Sequence, residues 1–234
     1  MKLGIIGAMA VEIAALKENM QDIRETTRTG MVFYEGKLQG VDAVVVQSGI
    51  GKVNAAVCTQ ILCDCFHVTH VVNTGIAGSL LAELDIGDLV ISRDAIHHDF
   101  DLHFWGRPIG QVPGFDVTAF PADEQLIKLA FAAAEVVNPG HTRIGRVASG
   151  DQFICSKEQM EKIIGDTQGI CAEMEGASIA HTAYRNGIPF VIIRAISDKA
   201  DDSAEMDYPT FEAIAAQRCA QVTMAMAAML ARNA

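Results

Sequence analysis

The residues of this chain whose types and spacing suggest chemistry are carboxylates. Within residues 170–202 stand two acidic clusters, Glu173 with Glu175, and Asp198 with Asp201 and Asp202. Between them Ala177, Ile179, Ala180, Ala183 and Tyr184 recur at helical spacing, Asn186-Gly187 is a stop, and residues 189–193 form a short apolar run. The pattern predicts strand, helix, strand. In an open α/β sheet, polar groups just past the carboxyl ends of strands line the crevice where ligands bind, so Glu175 and Asp198 are expected to face one pocket. A single carboxylate can equally cap a helix or meet solvent; two clusters at the ends of successive strands point to a site.

Glu12 is the third acid of interest. It falls in the first turn of a helix that directly follows an apolar strand at residues 2–6, where a negative end charge suits the helix dipole and where a carboxylate can be held at the strand's mouth. Two glycine-containing stretches, residues 4–9 and 48–52, lack the spacing of a dinucleotide fingerprint or a phosphate loop and are expected to make close strand-to-helix turns. His97, His98, Asp99, Asp101 and His103 form the most metal-like cluster, but they define neither a tetrahedral set nor a helical His pair, and a polar loop or subunit contact is expected there.

The elements that must position these groups alternate. Strands are expected at residues 31–38 and 41–47, joined by a hairpin at Gln39-Gly40, then at 68–73, within 84–97, and at 142–149. Helices are expected from Val53 to about Phe66, over residues 121–137, and after Tyr208-Pro209, the last with Phe211, Ile214, Ala215, Cys219, Val222, Met226 and Leu230 toward the core. Small residues at 74–79 are expected to let backbone N–H groups approach a ligand. Leu102, Phe104, Trp105, Pro108, Val112, Pro113 and Phe115 place an apolar surface on a loop broken by Pro and Gly, suited to packing on a second subunit.

Composition narrows the function. The chain has 234 residues, half of them hydrophobic, enough for one large α/β domain spanning 1–234. Eighteen basic against 29 acidic residues give a formal charge of −11 with no basic tract, which argues against a nucleic-acid partner and suits a neutral or cationic small ligand. Six cysteines mostly in apolar segments, with no signal-peptide pattern, fit a reducing cytoplasm. No apolar stretch approaches the roughly 20 residues needed to span a bilayer.

Several segments taken together resemble the 5′-methylthioadenosine/S-adenosylhomocysteine nucleosidases of the nucleoside phosphorylase superfamily. They are Gly4-Ile5-Ile6-Gly7-Ala8-Met9 with Glu12, Ser48-Gly49-Ile50-Gly51-Lys52-Val53, Asn73-Thr74-Gly75 with Ala77-Gly78, Ser149-Gly150-Asp151 with Phe153-Ile154, Glu173-Met174-Glu175, and Arg194-Ala195-Ile196-Ser197-Asp198 with Ala200-Asp201. The resemblance runs in order along nearly the whole chain. It implies a single-domain three-layer α/β/α sandwich around a central mixed, largely parallel sheet.

The resemblance further implies hydrolysis of the N-glycosidic bond of 5′-thio-substituted adenosines, in methionine salvage and the activated methyl cycle, with no cofactor and no metal. By it, Asp198 is the acid that protonates adenine N7, Glu12 activates water, and Glu175 binds the ribose hydroxyls. Ser197 orients Asp198, and Arg194 assists through the polar network. Phe153 stacks on adenine, and the Ile154 backbone reads its edge. Met9, Ile50, Met174 and Tyr208 line the ribose and thioalkyl regions, and Gly78, Glu173 and Ala200 join the binding set. Leu102, Trp105 and Pro113 from the opposite subunit of a homodimer close over the 5′-thio group. The chain departs from the commonest family form at Ile76, where a Ser is often found, and at Tyr208, where a Phe usually covers the site. Alternatives on the same fold are a phosphate-dependent purine nucleoside phosphorylase, which needs cations that residues 7–12 and 71–75 lack, and a hydrolase acting on aminofutalosine.

Overall fold

Apolar runs too short for helices become strands, most of them buried on both faces, and the longer stretches between them whose apolar residues recur at helical spacing form helices that cover those faces. A computed structural model describes residues 1–201 and 204–232, with only the backbone at 205 and 206. Asp202 of the second acidic cluster lies outside the described residues. In chain order the elements are β1 (Lys2–Gly7), α1 (Ala10–Glu18), β2 (Met20–Arg28), β3 (Met31–Leu38), β4 (Val41–Gln47), α2 (Lys52–Phe66), β5 (His70–Ser79), β6 (Leu89–His97), β7 (Phe120–Pro121), α3 (Glu124–Val137), β8 (Thr142–Ser149), α4 (Lys157–Thr167), β9 (Cys171–Glu173), α5 (Gly176–Arg185), β10 (Phe190–Asp198) and α6 (Ala204–Arg232), with one 3₁₀ turn at His103–Trp105.

The strands form one mixed sheet in the order β10-β6-β8-β9-β5-β1-β4-β3-β2, with β7 beside β6. Parallel ladders hold the middle, β4 to β1 to β5 to β10 and β6 to β8 to β9, while antiparallel pairing marks the hairpins and the short strands. Two further antiparallel contacts, β10 with β6 and β5 with β9, close five strands into a ring at one end of the sheet. Alternate residues of β10 point to opposite layers. Val191, Ile193 and Ala195 join the core under α1, α3 and α6, and Phe190, Ile192 and Ile196 join the core under α2 and α5. This gives the three layers.

Some boundaries differ from the sequence expectation for identifiable reasons. β5 continues as strand through Ser79, because β10 pairs with it as far as Gly78. α6 begins at Ala204 and takes Pro209 inside it, and Ile214, expected in the core, is 57% exposed. Strand β2 is a polar edge strand, exposed along most of its length, so it carries no apolar alternation to announce it. α4 was also unannounced; it starts at a Ser156 cap and buries only Ile163 and Thr167. Among the described residues no helix is long and apolar enough to cross a membrane.

Candidate active site

The carboxyl ends of β1, β5, β8, β9 and β10 meet around one cavity of about 470 Å³, within the usual range for a small-molecule site. Glu12, Glu173, Glu175 and Asp198 line it together with Met9, Ile50, Ile76, Gly78, Phe153, Met174, Ser197 and Tyr208. A narrower recess continues past Phe153 and Met174 between Ile154, Ala172 and Ala200, with Asp198 on its wall. Four acids from three segments remote in sequence thus face one space. No Lys, Arg or His lines the cavity or the recess among the described residues.

Each acid reaches this position by a different local device. Glu12 is in the first turn of α1, and its Oε2 accepts from the N–H groups of Ala8 (2.6 Å) and Met9 (2.9 Å), which belong to the turn after β1. Its Oε1 accepts from the Ile76 N–H at 3.1 Å, so the capping carboxylate also bridges to β5. The carboxylate thus caps the start of α1 and faces the cavity at once. Burial raises its pKa above the ordinary value, against the Arg194 charge and the three N–H donors, which favour the anion.

Asp198 ends β10. Its Oδ2 accepts from the Ser197 hydroxyl at 2.8 Å and its Oδ1 from the Ala200 N–H at 2.9 Å. Burial raises its pKa; those two donors oppose the rise, and the negative charges of Asp207 and Asp201 reinforce it. Glu175, at the start of α5, accepts from the Gly51 N–H at 2.9 Å. Burial first, and then the Glu173 charge, push its pKa up to about 7, with Arg194 pulling the other way.

Arg194 is not on the cavity surface. It is fully buried beneath it, where its Nη2 donates to Asn73 Oδ1 (2.6 Å) and to Glu173 Oε2 and lies 3.7 Å from Glu175 Oε2. Burial disfavours the guanidinium, but Glu173, Glu175 and Glu12 together outweigh this and raise its pKa. A charged residue inside the strand 190–198 is tolerated because acids converge on it from β9 and from the starts of α1 and α5. Gly75 makes room for the arrangement: a Cβ there would overlap both the Arg194 guanidinium and the Glu12 carboxylate. Glu173 is held in turn by Ser149 and by the N–H groups of Glu175 (3.1 Å) and Gly176 (2.8 Å). Asn73 and Ser149 were visible in the sequence only as members of motif segments, without roles.

The apolar side of the cavity is partly open. Ile50 is 52% and Phe153 44% exposed, and Phe153 meets Tyr208 edge-on at 5.5 Å between ring centroids. The Tyr208 hydroxyl lies 3.3 Å from Met9 Sδ and 3.3 Å from Glu212 Oε1. Leu102, Trp105 and Pro113 do not line the cavity of their own chain; Trp105 is 71% exposed. The histidine-rich segment is dispersed: His103 pairs with Asp101 at the surface, His97 and His98 are buried, and Asp99 pairs with Lys52. Among the described residues no group of three His, Cys, Asp or Glu is arranged to hold a metal ion.

Comparison with known proteins returns a consistent set. Residues 2–228 match the family model described as the phosphorylase superfamily. The chain is 42% identical over 227 residues to a 5′-methylthioadenosine/S-adenosylhomocysteine nucleosidase of Geobacillus thermodenitrificans, covering 97% of this chain and 96% of that one. It superposes with a TM-score of 0.94 and 38% identity on the nucleosidase of the same name from Neisseria meningitidis, solved in complex with methylthio-immucillin-A, over 97% of this chain and 99% of the other. A futalosine hydrolase of Helicobacter pylori also matches, with a TM-score of 0.92 and 35% identity over 97% of both chains.

Proposed function

Since the chain belongs to the phosphorylase superfamily, we propose that the cavity lined by Glu12, Glu175 and Asp198 is the active site of a 5′-methylthioadenosine/S-adenosylhomocysteine nucleosidase, with the whole chain acting as one domain. The reaction breaks the bond between ribose C1′ and adenine N9 and joins C1′ to a water oxygen. As the bond stretches, positive charge grows on the sugar and negative charge on the purine, so both must be stabilised.

The observation that carries the assignment of roles is the unequal support of two buried acids facing one cavity. Burial raises the pKa of both acids, but at Glu12 three backbone N–H bonds and the field of Arg194 oppose that rise and favour the anion, and it takes the proton from the attacking water. Asp198 has one N–H and one hydroxyl donor and two acidic neighbours, an environment that favours the protonated form, and it delivers a proton to adenine N7. The bonding pair goes to N9 and adenine leaves neutral. Glu175 accepts from the ribose hydroxyls, while Phe153 and the recess beside Ile154 and Ala200 take the base. Met9, Ile50, Met174 and Tyr208 surround the sugar and its 5′-substituent. Leu102, Trp105 and Pro113 of a second copy cover the open side in a homodimer, and the six free cysteines support a cytoplasmic setting.

A phosphorylase on this fold would hold phosphate with cations, and the cavity presents none among the described residues, its one nearby guanidinium lying beneath the floor among acids. The test is adenine release from methylthioadenosine and S-adenosylhomocysteine in phosphate-free buffer, with aminofutalosine and 5′-deoxyadenosine run beside them. Turnover without phosphate is expected, and Asp198→Asn is expected to lose about 10²–10⁴-fold. Strict phosphate dependence, or an Asp198→Asn enzyme with parental turnover, would refute the reading.

A further inference from the structure

Two loops that carry cavity residues, at Ile50 and at Phe153, are tied to each other and to the loop after β6 by side chains that do not touch the cavity. In the turn after β4, the Gly51 N–H donates to Glu175 Oε1 at 2.9 Å, and the next N–H, that of Lys52, donates to Asp151 Oδ1 at 2.8 Å. Asp151 lies two residues before Phe153 in the loop after β8, and its own N–H donates to Asp99 Oδ2 at 3.0 Å. The other Asp99 oxygen accepts from Lys52 Nζ at 2.5 Å, so the circuit returns to the residue where it began. Lys52 and Asp99 side chains are each only 22% exposed. The loop is also pressed from beneath: a Cβ at Gly150 would overlap the His98 ring and come within 3.0 Å of Asp99 Cγ.

We propose that Lys52, Asp99 and Asp151 form a positioning clamp, which holds the Gly51 N–H on Glu175 and sets the Phe153 loop against the same turn. The proposal rests on the nucleosidase reading for what Glu175 and Phe153 bind. Its physical content is separate. The charged groups facing Glu175 are Glu173 and Glu12, which disfavour its anion, and Arg194, which favours it; the Gly51 N–H is the fourth influence and also favours it. The clamp itself is faced by His98 beside Asp99 and His97 toward Lys52. Releasing the 51–52 turn removes the N–H from Glu175, so the carboxyl takes up a proton at higher pH, and ribose recognition weakens across the neutral range. Water activation at Glu12 is not attached to the clamp.

The experiment compares Lys52→Met, Asp99→Asn and the conservative Lys52→Arg with the parent. Each is followed by kcat and KM against pH for adenine release, and by a carbon NMR titration of Glu175 in the ligand-free protein, assigned with Glu175→Gln. Lys52→Met and Asp99→Asn are expected to raise KM about tenfold, the scale of one charge-assisted hydrogen bond, with a smaller change in kcat well above neutrality. The acid limb of kcat/KM and the Glu175 midpoint should move up together, and Lys52→Arg should recover part of both. A folded Lys52→Met or Asp99→Asn protein with the parental Glu175 midpoint and KM overturns the clamp. If the parent releases no adenine from 5′-thioadenosines, the functional reading falls, and the Glu175 titration still decides the clamp.

Discussion

Glu12, Glu175 and Asp198 are all buried, and burial alone would treat them alike; the donors around each separate their chemistry. For Glu175 the separation has a thermodynamic consequence. Its pKa is about 7 in the folded chain against an ordinary 4.5, so between these values the native state keeps a proton that the unfolded chain has released. Stability is therefore undiminished below about pH 4.5, falls as pH rises, and above neutrality carries the full penalty, on the order of 3 kcal/mol. Glu175→Gln removes this dependence. In urea unfolding of the ligand-free protein it is expected to exceed the parent in stability at pH 8 by more than at pH 5, and a difference that does not change with pH would contradict the raised pKa. The three acids were legible in the sequence as motif members at strand ends. Arg194 was legible as a motif residue but not as a buried counter-charge, because its partners come from segments far apart in the chain. Lys52, Asp99 and Asp151 carried no joint signal at all for the same reason.

Among the elements, the ring of five strands decides where the site can be. β5 passes under the cavity paired with β1, β10 and β9, and at Gly75 it runs against the two charged groups that define the floor. Neither can give way easily: Arg194 and Glu12 are both buried and multiply bonded. Gly75→Ala is expected to cost about 1–3 kcal/mol in urea unfolding, the usual penalty of overpacking, and to lower kcat about 100-fold by moving Glu12. Parental values for both would show slack that the packing does not contain. The strand itself was only half visible in the sequence, since Thr, Gly, Ala and Ser at 74–79 have the composition of a loop; pairing with β10 overrides that local preference. The hairpin of β3 and β4, the helix α2 and the run of β9, α5 and β10 were readable because their apolar periodicity is unbroken.

At the scale of the whole molecule, the segment that begins just after Asp99 projects Phe104 almost fully and Trp105 for the greater part into solvent, while the cavity rim leaves Ile50 and Phe153 half uncovered. Two exposed apolar surfaces of this kind are the ones that the proposed homodimer would cover. Trp105→Ala is expected to weaken self-association in sedimentation and to raise KM for methylthioadenosine, with the carboxylate network unaffected; a variant that associates and binds as the parent does would separate that loop from the site. The formal charge of −11 belongs to the whole chain, and part of that imbalance is buried. Glu12, Glu173 and Glu175 share the single guanidinium of Arg194, so with all of them ionised the buried cluster is a salt with more anion than cation. A ground-state nucleoside is neutral at its sugar and leaves that excess where it was. A ribosyl ring on its way to an oxocarbenium ion supplies the balancing charge for the fraction of its existence in which it is most unstable, and inhibitors that carry a fixed positive charge at the same ring position should gain affinity from this one electrostatic debt of the fold.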